Sequence, residues 1–185
     1  TVYIEPANST GFQFANAPLG ASMVGNQSPD TLGMDLTLTG KTNPLPSGVG
    51  VIQEWKGRIY AAQYLSTEDQ SVIWFSQPLA FHLFDQSQDF FMVPGRVTML
   101  APHDSGLVIG TDKRIHAYTG DQLAVLAPYG VVPGHHWSED DDKRILFWSK
   151  RGLCAALPFT NLTESQVSVA PGASAGGCVI RTGGQ

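Results

Sequence analysis

Charge is scarce in this chain. Asp, Glu, Lys and Arg make up 15% of its 185 residues, against about 25% in an average soluble domain. A surface so poor in charge is expected to be covered by neighbours, as in a large assembly. Acids outnumber bases, 16 to 11, for a net charge of −5. The bases form no tract: Lys143-Arg144 and Lys150-Arg151 are pairs interrupted by apolar strand residues. This argues against a specific nucleic-acid binder working through a basic surface. No run approaches the roughly 18 apolar residues of a membrane span. Cysteine is nearly absent: Cys154 and Cys178 are the only two, and they read as free thiols. The chain starts at Thr1 without a methionine or a signal-peptide pattern. Its numbering is therefore expected to begin inside a longer gene product or after processing.

Catalytic patterns are missing as well. Gly-x-Ser-x-Gly does not occur, and Gly48-Val49-Gly50 precedes a strand pattern, so it is no phosphate loop. His116 and the pair His135-His136 lack zinc-like spacing. The acidic run Ser138-Glu139-Asp140-Asp141-Asp142 lacks the alternation of a calcium loop and reads as a solvated turn between the second and third repeats. No catalytic residue, cofactor or metal ligand is expected.

Twenty glycines and twelve prolines beside nine Phe and four Trp favour short strands and tight turns over helices. The strands repeat. Gly57-Arg58-Ile59-Tyr60-Ala61-Ala62, Gly106-Leu107-Val108-Ile109-Gly110-Thr111 and Gly152-Leu153-Cys154-Ala155-Ala156-Leu157 share one shape. Each follows another apolar run, beginning at Val51, Val97 and Ile145. A period of roughly 40–50 residues with several short strands is that of β-propeller blades. The expected fold is therefore all-β, with antiparallel up-and-down sheets as propeller-like blades.

Three regions are expected. Residues 1–47 form an extended, loop-rich N-terminal arm with one strand at Met34–Leu38. Residues 48–169 hold the blades, and 170–185 form a Gly-rich C-terminal tail. In this layout Val51–Trp55 and Arg58–Gln63 open the first blade, and Val97–Ala101 and Leu107–Thr111 the second. Arg144–Ser149 and Leu153–Leu157 open the third, with Val167-Ser168-Val169 as a further strand. Three blades do not close a ring, since propellers use about four to eight. The ring is incomplete, or the chain is a fragment completed by missing chain or by neighbouring subunits.

Trp74 and Trp148 sit inside apolar strands and are assigned to packing between blades. Trp55 and Trp137 border turns and are the expected exposed pair. Phe12, Phe14 and Leu19 are the arm's apolar anchors for a neighbour's groove. These five residues are the candidate docking residues, with the loops 81–88 and 131–143.

Pro44-Leu45-Pro46-Ser47-Gly48 followed by Glu54-Trp55-Lys56-Gly57-Arg58-Ile59-Tyr60 resembles a segment of propeller proteins encoded by tailed bacteriophages. Val72-Ile73-Trp74-Phe75-Ser76-Gln77-Pro78 with Phe84-Asp85, and Gly106–Thr111 with Tyr118-Thr119-Gly120, continue the likeness over residues 44–157. The resemblance implies a non-enzymatic structural protein of the virion, in the tail or head–tail region. Its expected partners are other virion proteins and copies of itself. The alternative is a host-surface glycan-binding module that recognises its receptor through loop aromatics, and a third reading is a glycosidase or lyase fragment using the acids at 139–142.

Overall fold

The computed structural model describes residues 2–4, 13–15, 43–134, 137–164 and 172–180. Among them the chain is all strand and turn, without a helix. In the N-terminal arm, β1 (Val2–Ile4) pairs antiparallel with β2 (Gln13–Ala15), where only loop was expected. The strands expected at Met34–Leu38 and Val167–Val169 lie outside the described residues.

Three four-stranded antiparallel sheets follow, each a meander whose strands pair in chain order, and none closes on itself. The first holds β3 (Val49–Trp55), β4 (Arg58–Leu65), β5 (Gln70–Phe75) and β6 (Phe90–Pro94). The second holds β7 (Val97–His103), β8 (Gly106–Thr111), β9 (Ile115–Tyr118) and β10 (Leu123–Ala127). The third holds β11 (Ser138–Glu139), β12 (Ile145–Ser149), β13 (Gly152–Ala156) and β14 (Thr160–Asn161).

Local chemistry sets the hairpins. Lys56 and Gly57 both adopt positive φ, 48° and 72°, the signature of the two-residue turn whose twist matches antiparallel strands. The Glu54 carboxylate accepts the Gly57 N–H at 2.8 Å and holds the turn. Directly opposed residues share a sheet face. In the first sheet Val51, Ala62, Ile73 and Phe91 form one row, and Ile52, Ala61, Trp74 and Phe90 the reverse row.

The sheets pack through two cores. Ala62, Ile73 and Val93 of the first meet Leu100, Leu107 and Ile109 of the second. Met99, Val108 and Ile115 on the second sheet's other face meet Ile145, Phe147 and Cys154 of the third. Consequently β8 and β9 are buried throughout, and β12 alternates buried and half-buried. Gly110 admits the third sheet, because a Cβ there would stand 2.6 Å from Val131 Cγ2.

Two residues, Gly95 and Arg96, join β6 to β7, and their backbone is bonded on both sides. Ser71 Oγ donates to Gly95 O at 2.8 Å and accepts the Val97 N–H at 3.0 Å. Asp112 accepts the Arg96 N–H at 2.7 Å through its carboxylate and returns its own N–H to Arg96 O at 2.9 Å.

The third repeat is out of phase with the sequence reading. Residues 145–149 and 152–156 are the second and third strands of their sheet, not the first and second. The true first strand is split. Val131 bridges Ser149, and Ser138 and Glu139 pair with Leu146 and Ile145 further along the same strand β12. Between them Pro133 and Gly134 lead the chain away from the ladder. A proline cannot donate to the ladder, so the strand breaks there.

Candidate functional site

The first strands of the first two sheets, β3 and β7, pack against each other. With Gly134, Trp137 and the tail residue Gly177, they enclose a cleft of about 640 Å³ lined by Ile52, Gln53, Thr98 and Leu100. Trp137 is half-buried here and also packs on the core between the second and third sheets. The tail is seated beside it: the Ala175 N–H donates to Pro133 O at 2.9 Å.

Trp55 departs from expectation. It is 4% exposed, and its indole N–H donates to His103 O at 2.7 Å, tying the first sheet to the second. The turn instead folds its ring inward, against Tyr60 and Tyr118 at 5.6 and 6.1 Å. Trp55 and Trp137 thus do not form an exposed pair. Phe14 lies in β2 opposite Tyr3, and Phe12 and Leu19 lie outside the described residues, as do His135 and His136.

The turns between second and third strands are tied across the stack. Lys113 pairs with Asp69, and the Lys150 ammonium donates to Asp112 O. The turns between first and second strands converge on a separate cleft of about 420 Å³, lined by Glu54, Lys56, His103, Asp104, Glu139 and Lys143.

The acidic run lies within the third sheet, around the β11–β12 turn, rather than between sheets. Asp140 accepts the N–H groups of Asp142 and Arg144 at 3.0 and 2.8 Å, and its other oxygen accepts Arg144 Nε at 2.8 Å. Desolvation pushes its carboxyl up, but the Arg144 backbone and guanidinium outweigh that and hold it below the usual range. Glu139 takes Lys143 at 2.6 Å. These carboxylates are engaged in shaping a turn. Among the described residues no His/Cys/Asp/Glu group has metal-binding geometry, and no helix is long and apolar enough to cross a membrane. Both cysteines are free, Cys154 buried and Cys178 exposed.

Exposed large apolar side chains lie on the first sheet and its long β5–β6 loop, and also on β10 (Leu123, Val125) and in the tail (Val179, Ile180). On the face turned away from the second sheet, Ile52, Phe90 and Met92 are 53%, 38% and 39% exposed. They share this face with Trp74, whose ring lies 5.1 Å from that of Phe90 at a tilt of 49°. In the loop, Leu79 and Phe81 are 83% and 47% exposed. Sequence reasoning assigned Trp74 to packing without seeing that its row ends in open edges. The period-two positions of Ile52 and Phe90 carried that signal.

No protein-family model matches the chain, and neither does any curated protein or solved structure.

Proposed function

We propose that the chain is a structural, non-enzymatic protein of a tailed-phage virion. In this reading its three sheets are propeller-like blades, and it acts by binding neighbouring subunits. The observation that carries the docking role is the outer face of the first sheet. Ile52, Phe90 and Met92 remain exposed on one face of a sheet whose opposite face is packed against the second sheet, and exposed apolar side chains grouped in this way support a docking role.

Support for the blade reading comes from the consecutive meanders, their face-to-face cores and the adjacency of β3 and β7. Support for the virion reading is the ordered series of motifs over residues 44–157, together with a low-charge surface. Neighbouring subunits would cover Ile52, Trp74, Phe90 and the loop carrying Leu79 and Phe81.

Analytical ultracentrifugation of the purified chain tests the docking role. The expected result is self-association that weakens when Phe90 and Met92 are both replaced by Ser. A monodisperse monomer, unchanged by those substitutions, would refute it.

A further inference from the structure

The outer edge of the middle sheet is β10, which among the described strands pairs only with β9. Its sequence, Leu-Ala-Val-Leu-Ala, has no charge and no proline, and Leu123, Ala124 and Val125 are all exposed. Such an edge offers unpaired N–H and C=O groups beside apolar side chains, the template on which another strand adds. The outer strands of the other two sheets are blunted. β6 ends in Pro94, which has no N–H to give, and β14 is 2 residues long.

A segment that fits this edge lies in the tail. Cys178-Val179-Ile180 is exposed, Ile180 at 79%. Among the described residues none of the three belongs to a strand or has a backbone hydrogen-bond partner. The β-branched side chains of Val179 and Ile180 favour extended backbone. The tail cannot serve its own β10. Its Ala175 N–H is bound to Pro133 O, and Gly177 lines the cleft beside β3 and β7. β7 and β10 are opposite edges of one sheet, so a strand added to β10 stands four spacings from β7, about 19 Å. Ile180 is three residues past Gly177, a reach of about 10 Å.

We propose that the tail segment 178–180 of one copy adds antiparallel to β10 of a second copy. Ile180 then stands opposite Leu123, Val179 opposite Ala124 and Cys178 opposite Val125, so apolar residues meet on both faces. Charge sets the direction. Arg181 follows Ile180 in the sequence and arrives at the Leu123 end, beside exposed Asp121, which has no ion-pair partner among the described residues. A parallel pairing would carry Arg181 to Ala127, which is buried, a poor place for a cation. This contact is separate from the outer face of the first sheet and from any role in a virion.

The test is disulfide trapping in the full chain. Cys178 is exposed and Cys154 buried, so Val125→Cys puts one new thiol opposite that of the tail. Isotopically heavy and light copies are mixed, oxidised and digested. A heavy–light disulfide peptide joining positions 125 and 178 is expected, formed at least about tenfold faster than the one joining 68 and 178 in the exposed-turn control Glu68→Cys. Sedimentation gives a second readout. Val125→Lys, the charge that natural edges use against pairing, should weaken self-association about tenfold. Arg181→Asp should weaken it about threefold, and adding Asp121→Lys should restore it. Melting curves check that each variant is folded, and should Val125→Lys unfold, the charge exchange decides. Trapping within single copies only, a Cys178–Cys178 product only, equal rates for Val125→Cys and Glu68→Cys, or association indifferent to Val125→Lys and to the charge exchange would each overturn the pairing. Association that falls with the Phe90 and Met92 substitutions and ignores Val125→Lys would also overturn it, while leaving the outer-face docking intact.

Discussion

The middle and third sheets are built from similar short strands, yet they bury them differently. Every residue of β8 and β9 is buried, whereas β12 turns Ile145, Phe147 and Ser149 inward and leaves Leu146 and Trp148 half-buried. The middle sheet has a neighbour on both faces, and the third has one described neighbour. Burial here follows from place in the stack more than from the composition of the strand.

The sharpest way to break that contrast is on β12 itself. Phe147→Ala should cost about 3–5 kcal/mol, because the ring is fully buried between the second and third sheets. Leu146→Ala, one residue away on the other face, should cost less than half as much. Equal shifts in melting temperature would show that the two faces are not distinct.

Gly110→Val tests the middle sheet from the other side. The added side chain meets Val131 and Met99, and a loss of about 1–3 kcal/mol is expected from overpacking. Chemical denaturation measures it directly.

His116 sharpens the comparison through pH. It lies in the row Leu100, Ile109, His116, Val125, is 2% exposed, and neither ring nitrogen has a hydrogen-bond partner among the described residues. Desolvation, and then Arg114, lower its pKa. The folded state therefore binds the proton less readily than the unfolded chain. Stability from this residue is complete above about pH 6.5 and falls as the pH drops through that value. His116→Leu should remove that part of the acid sensitivity and gain roughly 1–3 kcal/mol by eliminating the orphaned nitrogens. Parallel melting curves for both proteins between neutral and acid pH would contradict this.

The smallest effect is expected at the rim. Lys113 and Asp69 are both solvent-exposed, and such pairs are screened by water and salt. Lys113→Ala should leave the melting curve unresolved from the parent, at low and high salt alike.

Most strands of the first two sheets were legible in the sequence, because their apolar runs are bounded by turn residues such as Lys56-Gly57. In the third sheet β12 and β13 were legible and the first strand was not: it is interrupted at Pro133-Gly134, so the next hairpin reads as the start of the sheet and the phase shifts by one strand. Trp55 misled for a related reason: proximity to a turn is visible in the sequence, and the side of the turn on which a ring falls is set by the neighbouring sheet.

The joint at Gly95-Arg96 has a kinetic consequence. Two residues fastened by Ser71 and Asp112 leave the first and second sheets no slack to part. Their amide hydrogens should exchange with solvent on a common clock, as one opening unit. The three residues from Pro128 to Gly130 that lead to Val131 are fastened as well, since the Val131 N–H donates to Thr111 O at 2.8 Å and the Lys150 N–H to Gly130 O at 2.9 Å, so the third sheet runs on the same clock.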